Sequence, residues 1–292
     1  MIRMLIRQAI QKIKAFHRGN GATNPLTTRD QLLFGDADQE LTGIIVTQWA
    51  SMNVIEEAVE KGANLVISHE ALFWNHGDHR EWLDNTPNSV YKEKVKRLEN
   101  YGIVVWRDHD FIHSGMPDEK GGWRDGIFYG LARQLGWDSY VIGDTTKYRL
   151  FDLPQTTAGE IASHIINSLD LRGAKIIGFP ETVVKRVCIP HHNLGDAKDD
   201  IIMMERDHVD LMLAMELIDF TLSEYVRDAA EFDQSRAIVT VGHFNTEEYG
   251  MKYLAEILAS KMLPDVKVTF AKTGDMYHYA FRAGKSTSVQ LN

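Results

Sequence analysis

GIIVTQWASMNVIEEAVEKGANLVISHE, residues 43–70, reads as strand, helix and strand in succession. Ile44-Ile45-Val46 is a short apolar run, a helix begins at about Ser51, and Leu65-Val66-Ile67 is a second apolar run. Ser51 suits an N-cap because its hydroxyl accepts from an N–H of the first turn, and Lys61-Gly62 supplies the stop. A chain that alternates in this way builds an α/β sheet. His69 falls just past the carboxyl end of the second strand, where open α/β sheets bind their ligands.

The pattern recurs on either side. Val90, Tyr91, Val95 and Leu98 mark a helix that stops at Tyr101-Gly102, and strand Ile103-Val104-Val105-Trp106 leads to His109 and His113. A helix over Asp125 to Leu135 ends at Gly136, and Thr157 with Glu160 forms a capping box for a helix up to Leu169. Short strands and turns fill Asp144 to Asp152. Strands are expected at Lys175–Phe179, Val183–Ile189, Val209–Met215, Ala237–Val241 and Val266–Phe270, with a helix over Asn245–Ala259. The expected architecture is two α/β lobes: residues 1–150 with 235–292 form the first and carry the candidate ligands, and residues 151–234 form the smaller second lobe.

With 44% hydrophobic and 25% charged residues over 292 positions, the chain has material for a sizeable core and reads as globular. A net charge of -9 argues against a general binder of nucleic acid or anionic membranes, which needs a basic face. The single cysteine, Cys188, excludes a disulfide framework within the chain, and between Val187 and Ile189 it reads as a buried, inert thiol. Leu5, Ile6, Ala9, Ile10, Ile13 and Phe16 follow helical spacing among Arg and Lys, so residues 1–16 read as an amphipathic helix and not a signal peptide. No run is long and apolar enough to span a bilayer, and a cytoplasmic location is expected.

Four distant segments offer metal ligands at places where the chain turns: Ser68-His69-Glu70, His109 to His113, Gly242-His243 and Glu247. Positions four apart share a helix face, so His243 and Glu247 can converge on one ion, as can His109 and His113 if their loop turns helically. Imidazole with carboxylate is a donor set for zinc, iron or manganese rather than calcium. The bland reading stands beside this one: with twelve histidines such spacings arise by chance, and Glu247 also suits the first turn of a helix. Asn75-His76-Gly77-Asp78-His79 reads as a solvated loop. Pro190-His191-His192-Asn193 follows a strand in the second lobe and is a further place for ligands. Gly121-Gly122 and Gly126 lack a dinucleotide or P-loop spacing, and no nucleophile elbow is present.

Glu56 to His69 and Gly242-His243-Phe244-Asn245-Thr246-Glu247 resemble two motifs of the Nif-three-like dinuclear-metal family, some members of which are catalogued as type-two GTP cyclohydrolase I. The likeness covers most of the chain. It implies the Nif-three-like fold with the metal site between the lobes, and a homohexamer. It matches His69, His243 and Glu247 to family ligands. Glu70 stands where the family has a second His, Ala71 replaces its Pro, and His113 stands at the family's Asp ligand. Pro190 to Gly195 replaces a glycine-rich turn of the family.

The expected ligand set is therefore His69, Glu70, His113, His243 and Glu247, with Glu247 bridging two divalent ions. His109 is the candidate for orienting groups or moving protons. The expected function is a dinuclear metal-dependent hydrolase acting on a small cyclic amide, lactone or nucleotide-like ring. The alternatives are a non-enzymatic metal-binding or regulatory protein of the same family, and a metal-free structural α/β protein.

Overall fold

The computed structural model describes residues 4–17, 23–24, 26–190 and 196–280. His191 and His192 lie outside the described residues. The chain divides into two compact units, Met1–Gly130 with Glu247–Thr273, and Leu131–Thr246 with Gly274–Asn292.

The sheet of the first unit is built from β1 (Leu32–Phe34), β2 (Ile44–Thr47), β3 (Leu65–Ser68), β4 (Val104–Arg107) and the last described strand, β12 (Val268–Phe270), in the order β1-β4-β3-β2-β12. Four strands run parallel, and β1 pairs antiparallel with β4 at one edge. The register sets Thr47 level with Ser68, and Ser68 level with Arg107. Three parallel strands therefore end together, and the next residues, Gln48, His69 and Asp108, leave the sheet side by side.

Unbroken apolar runs suit this sheet because both its faces are covered. Ile44, Val46, Leu65, Ile67, Val104 and Trp106 share one core with Ile6, Ala9, Ile10 and Ile13 of the helix Ile6–Phe16 and with Met251 and Leu254. Ile45, Val66 and Val105 share the other with Val54, Ile55 and Ala58 of the helix Met52–Lys61 and with Leu98. Ser51 caps that helix by accepting from Val54 N–H, and Gly62 ends it in the left-handed region at φ 70°. A cap contributes about 1 kcal/mol, whereas each fully buried Ile or Leu contributes roughly 1.5–3 kcal/mol, so the two cores dominate.

Gly250 and Gly130 allow a close helix–helix approach inside this unit. A Cβ on Gly250 would stand 2.4 Å from Ile127 Cα, and one on Gly130 would stand 2.6 Å from Gly250 Cα. A two-stranded hairpin, β5 (Met116–Pro117) with β6 (Trp123–Arg124), completes the unit.

The second unit has β7 (Leu150–Thr157), β8 (Lys175–Ile177), β9 (Val183–Cys188), β10 (Leu211–Ala214) and β11 (Ala237–Thr240), in the order β7-β9-β10-β11-β8. β9, β10 and β11 are parallel, and the edge strands β7 and β8 are antiparallel to their neighbours. The expected capping box forms: Thr157 and Glu160 exchange hydrogen bonds at the start of the helix Ala158–Leu169. Cys188 packs with Met204, Met212, Leu222, Val226 and Ile238, and burial pushes its thiol up to about 12.

The stretch 235–292, expected as one part of the first lobe, is divided. β11 hydrogen-bonds to β10 with Leu211 level with Ala237, so it belongs to the second sheet, while β12 belongs to the first. Residues 131–149 also fall in the second unit. Among the described residues no helix is long and apolar enough to cross a membrane.

Candidate metal centre

His69 is fully buried at the end of β3, where its N–H bonds to the carbonyls of Thr47 and Gln48. Its ring Nδ1 lies 3.1 Å from the carbonyl oxygen of Asp108. A carbonyl only accepts, so Nδ1 donates to it, and Nε2 is the nitrogen turned toward the cluster. Among the described residues no hydrogen-bond partner meets that Nε2, which instead faces Glu247 Oε2 at 3.4 Å. An imidazole oriented by a carbonyl through one nitrogen, with the other left bare, is the usual preparation of a metal ligand.

Glu247 is 2% exposed on the helix His243–Ile257, and its two oxygens face different partners. Oε2 accepts from Gln48 Nε2 at 3.1 Å and faces His69, while Oε1 lies 3.9 Å from His113 Nε2. His113 is held by Asp125, whose Oδ2 lies 2.9 Å from its Nδ1. The other oxygen of Asp125 accepts from the N–H groups of Ile127 and Phe128, at the first turn of the helix Gly126–Leu135. One carboxylate thus fixes a helix start and a ring orientation at once.

The loop carrying His109 and His113 does turn helically. The helix Asp110–Ser114 places His113 N–H 3.3 Å from His109 O, and Asp30 accepts from the N–H groups of His109, Asp110 and Phe111. Burial, together with the charge on Asp108, pushes the Asp30 carboxyl up to about 6 against the pull of those donors. The His109 ring stacks on His69, with centroids 4.5 Å apart, and its Nδ1 binds Asp110. Burial and the neighbouring His69 push the His109 imidazole down to about 4, so at neutral pH it is an uncharged ring with Nε2 able to accept a proton.

Glu70 is buried against Arg107. The Arg107 guanidinium, itself fully buried, binds the carbonyls of His69 and His76 and the carboxylates of Asp78 and Glu70. Burial alone would raise the Glu70 carboxyl, but His76, 3.6 Å away, and the charge of Arg107 prevail and hold it at about 2.

Three overlapping sets of donor atoms lie within 4.8 Å of one another: His69 with His109 and His113, Glu70 with His76 and His109, and His69 with Glu70 and Glu247. The structure therefore brings His69, Glu70, His113 and Glu247 together in the first unit. It adds two residues to that neighbourhood: His109, expected to orient groups or move protons, and His76, expected to be merely solvated. His243 lies in the second unit, where its Nδ1 binds Glu216. Glu216, Arg107, Gln48 and Asp125 were not expected from the sequence as site residues. Gln48 and Glu216 had a signal there, since they follow β2 and β10 as His69 follows β3.

The profile of the Duf34/NIF3 (NGG1p interacting factor 3) family matches residues 30–275. A Clostridium perfringens relative named "GTP cyclohydrolase 1 type 2 homolog" is 24% identical over 82% of this chain and 87% of its own length. A Neisseria meningitidis relative of the same name is 29% identical over 76% of this chain and 81% of its own length. Among solved structures, a hypothetical protein of Staphylococcus aureus superposes with a TM-score of 0.67 at 16% identity, over 96% of this chain and all of that one. A Bacillus cereus protein related to NIF3 gives 0.63 at 15% identity, over 96% of this chain and 99% of that one. At such identities the two structures establish the fold.

Proposed function

The chain belongs to the Duf34/NIF3 family, and we propose that it is a hydrolase with a dinuclear divalent metal centre, zinc, iron or manganese, acting on a small cyclic amide, lactone or nucleotide-like ring. The observation that carries the proposal is the bare Nε2 of buried His69 facing a carboxylate whose two oxygens look toward two imidazoles. Such a set fits divalent cations, because imidazole and carboxylate together are the donors that zinc, iron and manganese take.

His69, Glu70, His113, His243 and Glu247 are the proposed ligands, with Glu247 bridging. His243 has its Nδ1 on Glu216 as His113 has on Asp125, which suits it to the same task. When bound, the cations supply a water of pKa near about 7 and polarise the substrate. Arg107 holds Glu70, Asp125 and the Asp108 carbonyl fix two ring orientations, and His109 accepts or returns a proton at Nε2.

The test is to purify the protein with its native metal and screen cyclic amides, lactones and nucleotide-like rings before and after chelation. Turnover abolished by chelation and restored by one of the three metals supports the reading. Tight metal without turnover on any ring would assign the chain to metal binding or regulation instead. The homohexamer and the cytoplasmic location belong to the same proposal, and light scattering checks the first.

A further inference from the structure

Within the first unit a cavity of about 550 Å³, whose lining includes none of the proposed metal ligands, is lined by Trp49, Met52, Trp74, Glu93, Lys94 and Arg97, among others. Lys94 is only 3% exposed. Its Nζ donates to the Leu72 carbonyl at 2.9 Å and stands 5.2 Å from the Trp49 ring centroid, 5.7 Å from that of Phe73 and 5.9 Å from that of Trp74. Among the described residues no carboxylate pairs with it: the nearby Glu56 and Glu93 are both engaged by Arg97. Charging a buried amine without a counter-ion is costly, aromatic faces compensate it only in part, and burial accordingly pushes Lys94 down to about 7, so an anion beside it is what would hold its charge.

Trp74 is unusual in a second way. Its backbone is left-handed at φ 58°, a region that bulky side chains avoid, and yet the residue is 43% exposed instead of filling a core. Strained backbone of this kind clusters at ligand clamps, among other functional places.

We propose that this cavity is a second small-molecule site, which takes a flat aromatic carboxylate. The ring lies against the indoles of Trp49 and Trp74, and the carboxylate supplies the counter-ion that Lys94 lacks. Nothing in this argument depends on metal at the centre.

The probe is naphthalene-2-carboxylate, with naphthalene-2-carboxamide as its uncharged match, titrated into the full-length protein with its native metal. Indole N–H resonances of Trp49 and Trp74 report binding. The carboxylate is expected to shift both and to bind at least tenfold more tightly than the amide. Lys94→Met should abolish that preference with the metal content unchanged. Trp74→Ala, at an exposed position that the core does not need, should weaken both probes at least threefold and covers the case in which Lys94→Met fails to fold. Equal affinity for acid and amide overturns the proposal, as does carboxylate binding that ignores both substitutions, which would place the acid at the metals. Indole resonances that respond to dilution and not to the probe also overturn it, because a second copy of the chain would then cover this face.

Discussion

The two sheets use their carboxyl ends alike and obtain different results. In the second unit, the chain leaving β10 and β11 supplies Glu216 and His243, which bind each other beside a cavity of about 460 Å³ that Tyr277 and His278 also line. In the first unit, three level strands supply Gln48, His69 with Glu70, and Asp108, and two further segments bring His113 and Glu247 to them. Strand ends alone yield a pair. A cluster needs a helix and a helical loop returning over the ends of three strands.

The sharpest way to break the comparison is His69→Ala. It removes the bare nitrogen and no large apolar volume, so metal affinity should fall by about 100-fold or more, beyond the 10–100-fold typical of supporting groups. Elemental analysis after gel filtration measures this, and a circular dichroism spectrum that stays native shows that the fold survives. Full metal occupancy in this variant would remove the cluster's claim to be a metal site.

Asp30 tests whether the loop over the strand ends is bought at a cost in stability. Its carboxyl ionises near pH 4 in the unfolded chain and at about 6 when folded, so between these values the unfolded state loses the proton first. The contribution of Asp30 to stability should therefore be full below pH 4 and fall as pH rises through about 6, by up to about 3 kcal/mol. Urea unfolding of the protein and of Asp30→Asn at pH 4 to 7 checks this: the variant should lack that part of the slope.

Asp125→Asn compares the two held histidines. It should weaken metal binding by about 10–100-fold, because an amide holds the His113 ring less well. Glu216→Gln is the matching change in the second unit, and if His243 is a ligand the two variants should lose metal to a similar degree. The smallest expected effect is none: Cys188, with its thiol pushed up to about 12, should resist iodoacetamide at pH 8 until the protein unfolds. Mass spectrometry with and without denaturant reads this.

Much of the first sheet was legible because its signals are local. Ser51, Gly62 and Gly102 act where a cap and two stops were expected, and doubly buried strands require runs such as Ile44-Ile45-Val46. β7 was only partly legible, since Pro154 and a burial that switches along the strand blur its period. β1, three residues long with no buried position, left no pattern to read. The helix Leu222–Glu231 was legible in principle, because Leu222, Val226, Ala229 and Ala230 keep helical spacing. In the cluster, residues with a motif of their own were found. Arg107 and Asp125 were not, because their importance lies in partners that the sequence does not place beside them.

The level ends of β2, β3 and β4 have a consequence for how this protein can change. Side chains alternate between faces along a strand, so inserting or deleting one residue within β3 would turn His69 by half a revolution relative to Gln48 and Asp108. The donors are thus addressed by counting from the strand starts. Exchanging one donor type for another at a fixed count leaves every address intact, whereas a frame slip of a single position scrambles them all.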